Sequence, residues 1–236
     1  MGRHFEVRQA AMAATAKAKS AAYMRASKEI YAAAKSGDPN PESNLALRSA
    51  IAKYRRDVPK DVIERAIERA KGGDATAYIE GSYEFMGPGG SNIIVTTLTD
   101  NVNRALVTVR TIVTRKGGKM ASVAYNFEQA GILDFSSEKA ARQDVEDNLI
   151  LGDVDVKEVS EDDGEIEVRV APSDLGKAVD VLKDMGVTEF DRNETTLYPN
   201  EWITLEGDDL NKVKAMLDEL NESEDVQNVY TNVENL

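Results

Sequence analysis

The sequence contains no cysteine, and its 236 residues include a single histidine and a single tryptophan. Disulfide bonds, thiolate metal sites and cysteine nucleophiles are therefore excluded. A Ser-His catalytic system would depend wholly on His4, which lies near the start of the chain. We expect a solvated or nucleic-acid-facing His4, and hence no enzymatic activity, no metal site and no cofactor.

Long hydrophobic runs are also missing. No segment approaches the run of about 18 apolar residues that a membrane-spanning helix needs. The opening sequence MGRHFEVRQ has no apolar core of the kind that signal peptides carry. Together with the lack of cysteine, which suits a reducing compartment, these absences predict a cytoplasmic protein that contacts no membrane.

Charge is distributed very unevenly along the chain. Residues 1–72 hold 15 Lys/Arg against 8 Asp/Glu, whereas residues 134–236 hold 9 against 29, and the whole chain has a net charge of −13. A concentrated positive charge favours phosphate backbones, because binding releases their counterions. The alternative is a charged helical surface that is merely solvated, or that docks onto an acidic domain.

The N-terminal region is predicted to be helical. Residues 5–35 contain no proline or glycine and are rich in alanine, lysine and arginine. Prolines and glycines then separate two further helices, over about 43–55 and 59–71. Residues 1–75 are therefore predicted to form a basic three-helix domain, with Tyr23, Ile30 and Ala34 on a packing face. The candidate nucleic-acid-binding residues are Lys17, Lys28, Lys35, Arg48, Lys53, Arg55, Arg56, Lys60, Arg65 and Arg69, of which the first three share one helix face.

The rest of the chain indicates an α+β fold. Residues 131–199 show the order βαββαβ, and the acidic run 161–165 is typical of a solvated hairpin between two strands. The flanking regions 76–130 and 200–236 show the same order when joined, from strands at 91–99, 119–127, 201–205 and 226–231 and helices at 102–116 and 208–220. We therefore expect two ferredoxin-like domains, with the acidic domain 131–199 inserted into the other.

The stretch Tyr83–Arg110 links these regions. Gly87-Pro88-Gly89-Gly90 is interpreted as a tight turn, because a phosphate-binding loop would open a helix and here a strand follows. Asp100 is predicted to cap the next helix. The apolar stripe of that helix is predicted to be Val102, Leu106, Val109 and Val113, and Arg104 and Arg115 are placed on its solvent face.

A set of short motifs recurs along nearly the whole chain, in the order of a known family signature: Tyr83-Glu84, Gly87–Gly90, Leu98–Arg104, Val109-Arg110 and Gly117-Gly118, with Ala33–Pro39, Leu47–Ile51 and Pro59–Ile67 upstream and Asp225–Tyr230 downstream. Together these motifs resemble the YebC/PmpR family, which includes a mitochondrial translational activator. This sequence departs from the family pattern at Gly2-Arg3-His4-Phe5, which is less basic, and at Lys119–Val123, where the loop is shorter.

The resemblance implies a three-domain, cytoplasmic, non-catalytic regulator of gene expression. Its nucleic-acid partner would be promoter DNA, in a transcriptional regulator, or ribosomal RNA, in a ribosome-associated translation factor. Phosphate-directed charge is common to both. A third hypothesis is a protein-interaction adaptor that works through its acidic half, and none of the three requires a small-molecule substrate.

Overall fold

The structure is a computed structural model that describes residues 16–72 and 76–236 of the chain. These residues divide into two compact units. The inserted unit comprises Tyr125–Asn200, and the main unit comprises the described residues on either side of it in the sequence, up to 124 and from 201. No helix in these described ranges is both long enough and apolar enough to cross a membrane.

Three N-terminal helices pack around one apolar core in the main unit. Asn44 begins the second helix, because its side chain accepts a hydrogen bond from the Leu47 amide at 3.0 Å. Ile30, Tyr31 and Leu47 are fully buried in the core. The helices are α1 (Ala16–Lys35), α2 (Leu45–Tyr54) and α3 (Lys60–Lys71). The predicted helical residues 5–15 lie outside the described residues.

The main unit also contains a four-stranded antiparallel sheet in the order β3-β1-β2-β8. Two helices cover one face, where Phe85, Ile93, Val109 and Met216 are buried. The strands are β1 (Ile79–Met86), β2 (Asn92–Thr99), β3 (Lys119–Met120) and β8 (Val226–Thr231), and the helices are α4 (Val102–Arg115) and α7 (Gly207–Asn221).

The strand order of this sheet corrects the sequence prediction. The first strand, β1, was not predicted, because Gly81 and alternate polar residues weaken its β signal. The strand predicted at 119–127 is only two residues long. The Glu84 carboxylate accepts hydrogen bonds from the amides of Val123 and Ala124, at 2.7 and 2.8 Å, and these bonds direct the chain away from the sheet. The strand predicted at 201–205 is a single bridge between Ile203 and Val233. The outer sheet is therefore not ferredoxin-like.

The cap of α4 is one residue later than predicted. The Asn101 side chain accepts a hydrogen bond from the Arg104 amide at 3.0 Å, while Asp100 pairs with the Arg104 guanidinium at 2.8 Å. Val102 is exposed rather than part of the buried stripe, which is formed by Ala105, Val109, Ile112 and Val113. Asp100 therefore makes a surface ion pair and does not cap the helix.

The inserted unit has the ferredoxin-like topology that its element order predicted. Its four antiparallel strands lie in the order β5-β6-β4-β7, and two helices pack on Leu133, Phe135, Ile166 and Val168. The acidic hairpin is confirmed, with Asp163 and Gly164 both at positive φ in a two-residue turn. Its elements are β4 (Phe127–Ser136), α5 (Arg142–Leu151), β5 (Val156–Asp162), β6 (Glu165–Val170), α6 (Leu175–Asp184) and β7 (Arg192–Pro199). The α+β class, with N-terminal helices before two antiparallel sheets, is confirmed.

Candidate nucleic-acid interface

Lys28, a predicted phosphate ligand, lies at the contact between α1 and the sheet of the main unit. Its ammonium donates to the Asp225 carboxylate and the Glu224 carbonyl, both at 2.9 Å, and to the Leu98 carbonyl at 3.4 Å. Lys28 is only 7% exposed. The buried ammonium of Lys28 therefore donates to three acceptors within the protein, and a phosphate could not reach it.

Arg104 holds the same carboxylate from the other side. Its Nε and Nη2 atoms donate to Asp225 Oδ2 and Oδ1, each at 2.9 Å. Burial alone would raise the pKa of Asp225, but hydrogen bonds from Arg104, Lys28 and Thr99 outweigh burial and lower that pKa to about 2. We call Lys28, Arg104 and Asp225 the seam, because they join the N-terminal helices to the sheet.

The seam corrects the prediction of one continuous basic face on α1. Lys28 and Lys35 share a helix face by spacing, yet the sheet covers α1 at Lys28, and only Lys35, in the last turn, is exposed. The side chain of Lys17 lies outside the part of the chain that the structure describes. Lys28 and Lys35, the two of the three lysines whose side chains the structure describes, therefore do not form one exposed basic face.

Arg69 also has a structural position. Its guanidinium lies 4.4 Å from the centre of the Tyr31 ring and donates to the Tyr78 hydroxyl at 2.9 Å. The two tyrosine rings meet edge to face, with their centres 5.6 Å apart. Because Arg69 packs into this aromatic cluster, it stabilises the third helix on the first rather than facing a ligand.

The exposed cations concentrate where the second helix ends and the third begins, over residues 53–60, which we call the basic turn. Arg55 and Arg56 are both exposed there. The ammonium of Lys53 lies 3.1 Å from Glu29 Oε2, and that of Lys60 lies 3.2 Å from Glu64 on the next helical turn. The segment reads KYRRDVPK, with four cations against one carboxylate.

The backbone of the basic turn is held in place. The amides of Arg55 and Val58 donate to carbonyls of the preceding helical turn, both at 2.9 Å, and Asp57 does so at 3.1 Å. Val58 is 5% exposed and anchors the turn in the helical core. Arg55 and Arg56 are thus presented from a rigid base, which lowers the entropy that binding would cost.

The remaining candidate nucleic-acid-binding residues, Arg48 and Arg65, are exposed, and each makes hydrogen bonds or an ion pair within the protein. Arg48 donates to the carbonyls of Pro41 and Glu42 at 3.2 and 3.0 Å. Arg65 forms an ion pair of 2.6 Å with Asp61 on the same helix. Exposed pairs of this kind contribute little stability, so they can exchange for phosphate at low cost.

Two residues of the seam region were missed by sequence reasoning. Asp225 lies 197 residues from Lys28 in the sequence, and no local pattern relates the two. Arg25, one helical turn before Lys28, is partly buried and donates to Asn221 at 3.3 Å, and burial lowers its pKa. The spacing of three between Arg25 and Lys28 was the only available signal that they share a face.

The second candidate face, on α4, is also ion-paired. Arg104 belongs to the seam, and Arg115 donates to Glu219 on α7. The glycine turn before β2 packs against its own unit, since a side chain at Gly89 would meet Leu205. Its interpretation as a tight turn is confirmed by the backbone hydrogen bond of 2.7 Å from Gly87 to Ser91.

Basic N-terminal helices joined to one antiparallel sheet, with a second antiparallel α+β unit inserted in the chain, define a multidomain α+β protein. The chain belongs to the TACO1/YebC family. A family model described as TACO1/YebC second and third domain matches residues 78–233, and one described as TACO1/YebC protein N-terminal domain matches residues 3–73. The resemblance drawn from the motifs is confirmed. The family is named for transcriptional regulation and translational activation, names that do not distinguish DNA from RNA.

Similarity to solved structures extends over most of the chain, as one example shows. It is the crystal structure of a conserved hypothetical protein, Aq1575, from Aquifex aeolicus. The two share 28% sequence identity with a TM-score of 0.76, over 91% of this chain and 90% of that one. The similarity supports the family assignment and adds no statement about a ligand.

Proposed function

We propose that this protein is a non-enzymatic regulator of gene expression that binds nucleic acid through the basic turn. The single observation that carries the proposal is the exposure of Arg55 and Arg56 on a rigid, hydrogen-bonded segment with two further cations. Arginine suits this task, because its planar guanidinium can donate two parallel hydrogen bonds to one phosphate. The target that we propose first is duplex DNA, as for a transcriptional regulator.

The acidic inserted unit supports a division of labour. Residues 125–200 hold 7 Lys/Arg against 20 Asp/Glu, and a surface of this charge repels phosphates. In the proposal, this unit contacts a protein component of the transcription or translation machinery, and nucleic acid contacts the basic turn instead.

The salt dependence of binding tests the proposal and separates the two targets. If the four cations of the basic turn contact phosphates, the log–log slope of affinity against salt should be about −3.6 on duplex DNA and about −2.8 on single-stranded RNA. Tighter binding to duplex DNA at equal salt, with a preferred sequence in a binding selection, supports a transcriptional regulator. Co-sedimentation with ribosomes and no preferred DNA would replace DNA by RNA, and a slope near zero on both would refute the proposal.

A further inference from the structure

A carboxylate of the protein itself occupies the start of the basic turn. Glu29 on α1 accepts hydrogen bonds from the Lys53 ammonium through both of its oxygens, Oε1 at 3.2 Å and Oε2 at 3.1 Å. The Tyr54 hydroxyl donates to Glu29 Oε2 at 2.5 Å, which is a short, charge-assisted hydrogen bond. Two donors at the end of α2 therefore converge on one anionic group.

The two donors stand on the same rigid base as Arg55 and Arg56. Tyr54 is the last residue of α2, and its ring packs in part against the core of the N-terminal helices. The Lys53 ammonium lies 5.1 Å from the centre of the same ring. A phosphate that replaced the Glu29 carboxylate would therefore meet both donors already in place, directly before the two exposed arginines in the sequence.

The position of Glu29 makes it a firm competitor for these donors. Glu29 lies between two buried residues of α1, so its main chain is fixed. The side chains of Glu29 and Lys53 are each 30% exposed, whereas those of Lys60 and Glu64, the neighbouring pair, are 88% and 60% exposed. Water and salt screen a partly buried pair less than an exposed one, so Glu29 holds Lys53 more tightly than Glu64 holds Lys60.

We propose that Lys53 and Tyr54 form a phosphate subsite of the basic turn, and that Glu29 occupies this subsite until nucleic acid displaces it. This role of Glu29 rests on the proposed function, because it acts on the same surface. Phosphate and carboxylate oxygens accept hydrogen bonds from the same donors, so one group must leave before the other binds. Once displaced, the Glu29 carboxylate remains on α1 beside the subsite and repels the bound phosphate. Both effects lower the affinity for nucleic acid.

Removal of the Glu29 charge tests the proposal on duplex DNA. Glu29→Gln keeps the size of the side chain, and the full-length variant should bind DNA about tenfold more tightly than the wild type at equal salt. The matched control is Glu64→Gln, which removes the same charge beside the same turn and frees an exposed lysine. We expect the control to gain less than about threefold. Lys53→Gln or Tyr54→Phe, added to Glu29→Gln, should abolish the gain, because each removes one donor of the subsite.

A small anion provides a readout that needs no nucleic acid. Inorganic pyrophosphate should shift the Tyr54 ring resonances of the Glu29→Gln protein at about tenfold lower concentration than those of the wild type, because the competing carboxylate is gone. The Glu64→Gln protein should respond like the wild type. Far-UV circular dichroism of each variant checks that the fold is retained.

The outcomes separate the subsite from the proposed function. Equal gains on DNA in Glu29→Gln and Glu64→Gln would overturn the subsite, even where substitution of Arg55 and Arg56 confirms the basic turn. Pyrophosphate shifts without a gain on DNA would assign the subsite to a free phosphate and remove it from nucleic-acid binding. A salt slope near zero on DNA and RNA would refute the proposed function. Pyrophosphate responses that are equal in the Glu29→Gln and wild-type proteins would overturn the competition by Glu29, whatever the result with nucleic acid.

Discussion

The seam and the basic turn use the same residue types for opposite purposes. In the seam, Lys28 and Arg104 share one carboxylate, and the ammonium and the carboxylate are both about 8% exposed. In the basic turn, Arg55 and Arg56 stand on a hydrogen-bonded backbone with their side chains exposed. The difference shows that some cations of these helices hold the fold together through buried ion pairs, whereas others are exposed and available to bind a ligand. Counting cations along the sequence overestimates that surface.

Removal of Asp225 should have the largest effect. Asp225→Ala leaves the buried Lys28 ammonium without its counter-charge, and we expect a loss of about 3–5 kcal/mol in the free energy of unfolding. Urea titration followed by far-UV circular dichroism measures this loss. The matched control is Glu224→Ala, because Glu224 is exposed and contacts Lys28 only through its main-chain carbonyl. Equal losses in the two variants would show that the seam does not fasten the helices.

Acid should weaken the seam in a defined range. The pKa of Asp225 is lowered to about 2, below its ordinary value of 3.8, so the unfolded state binds the proton first. The contribution of this carboxylate to stability is therefore complete above about pH 4 and is lost as the pH falls toward 2. An Asp225→Asn protein should show a shallower fall in unfolding free energy over this range than the wild type.

A half-buried carboxyl in the inserted unit should behave in the opposite way. Burial first, and then the negative charge of Asp134 on the facing strand, raise the pKa of Glu167 to about 7, against the lowering effect of Arg192. The folded state therefore holds its proton longer than the unfolded state, and stability is lost as the pH rises from about 4.5 to 7.

Glu167→Gln should remove this loss. At pH 8 we expect the variant to be more stable than the wild type by about 1–3 kcal/mol, with a smaller difference at pH 4.5. Hydrogen exchange of the β4 and β6 amides measures the change within the inserted unit. The same difference at both pH values would contradict the assignment to Glu167.

Two arginines of α3 sharpen the distinction between internal and surface cations. Arg69→Ala should cost about 1–2 kcal/mol, because it removes the contact with the Tyr31 ring and the hydrogen bond to Tyr78. Arg65→Ala, on the same helix, breaks only an exposed pair with Asp61 and should cost less than about 0.5 kcal/mol. Thermal melts that rank the two in the reverse order would place Arg69 on the surface.

The cap of α4 provides a smaller test. Asn101→Ala should cost about 1 kcal/mol, because the Arg104 amide loses its acceptor. Asp100→Ala removes a half-exposed ion pair and should cost less. Urea titration of the two variants side by side compares them, and a larger loss for Asp100→Ala would restore the capping role that the sequence predicted.

The sequence predicted those features that depend on neighbouring residues. The acidic hairpin over residues 161–165 and the element order of the inserted unit depend on local sequence and were confirmed, whereas helix periodicity misplaced Val102 and Lys28. The burial of Lys28 could not be predicted, because its partner Asp225 lies 197 residues away in the sequence. The predicted strand at 119–127 is shortened to β3 because Glu84, about 40 residues away in the sequence, accepts hydrogen bonds from two of its amides. The sequence also identified Arg55 and Arg56 as candidates, but could not separate them from the buried Lys28.

The most direct measurement concerns the basic turn itself. Arg55 and Arg56 replaced together by glutamine should change stability by less than about 0.5 kcal/mol, because both are exposed. The log–log salt slope for duplex DNA should become shallower by about 1.8, since two phosphate contacts are lost. The matched control replaces the exposed Lys183 and Lys214 by glutamine and removes the same charge elsewhere, so its slope should stay at the wild-type value. An unchanged slope in the arginine variant, or an equal change in the lysine control, would contradict the assignment of nucleic-acid binding to the basic turn.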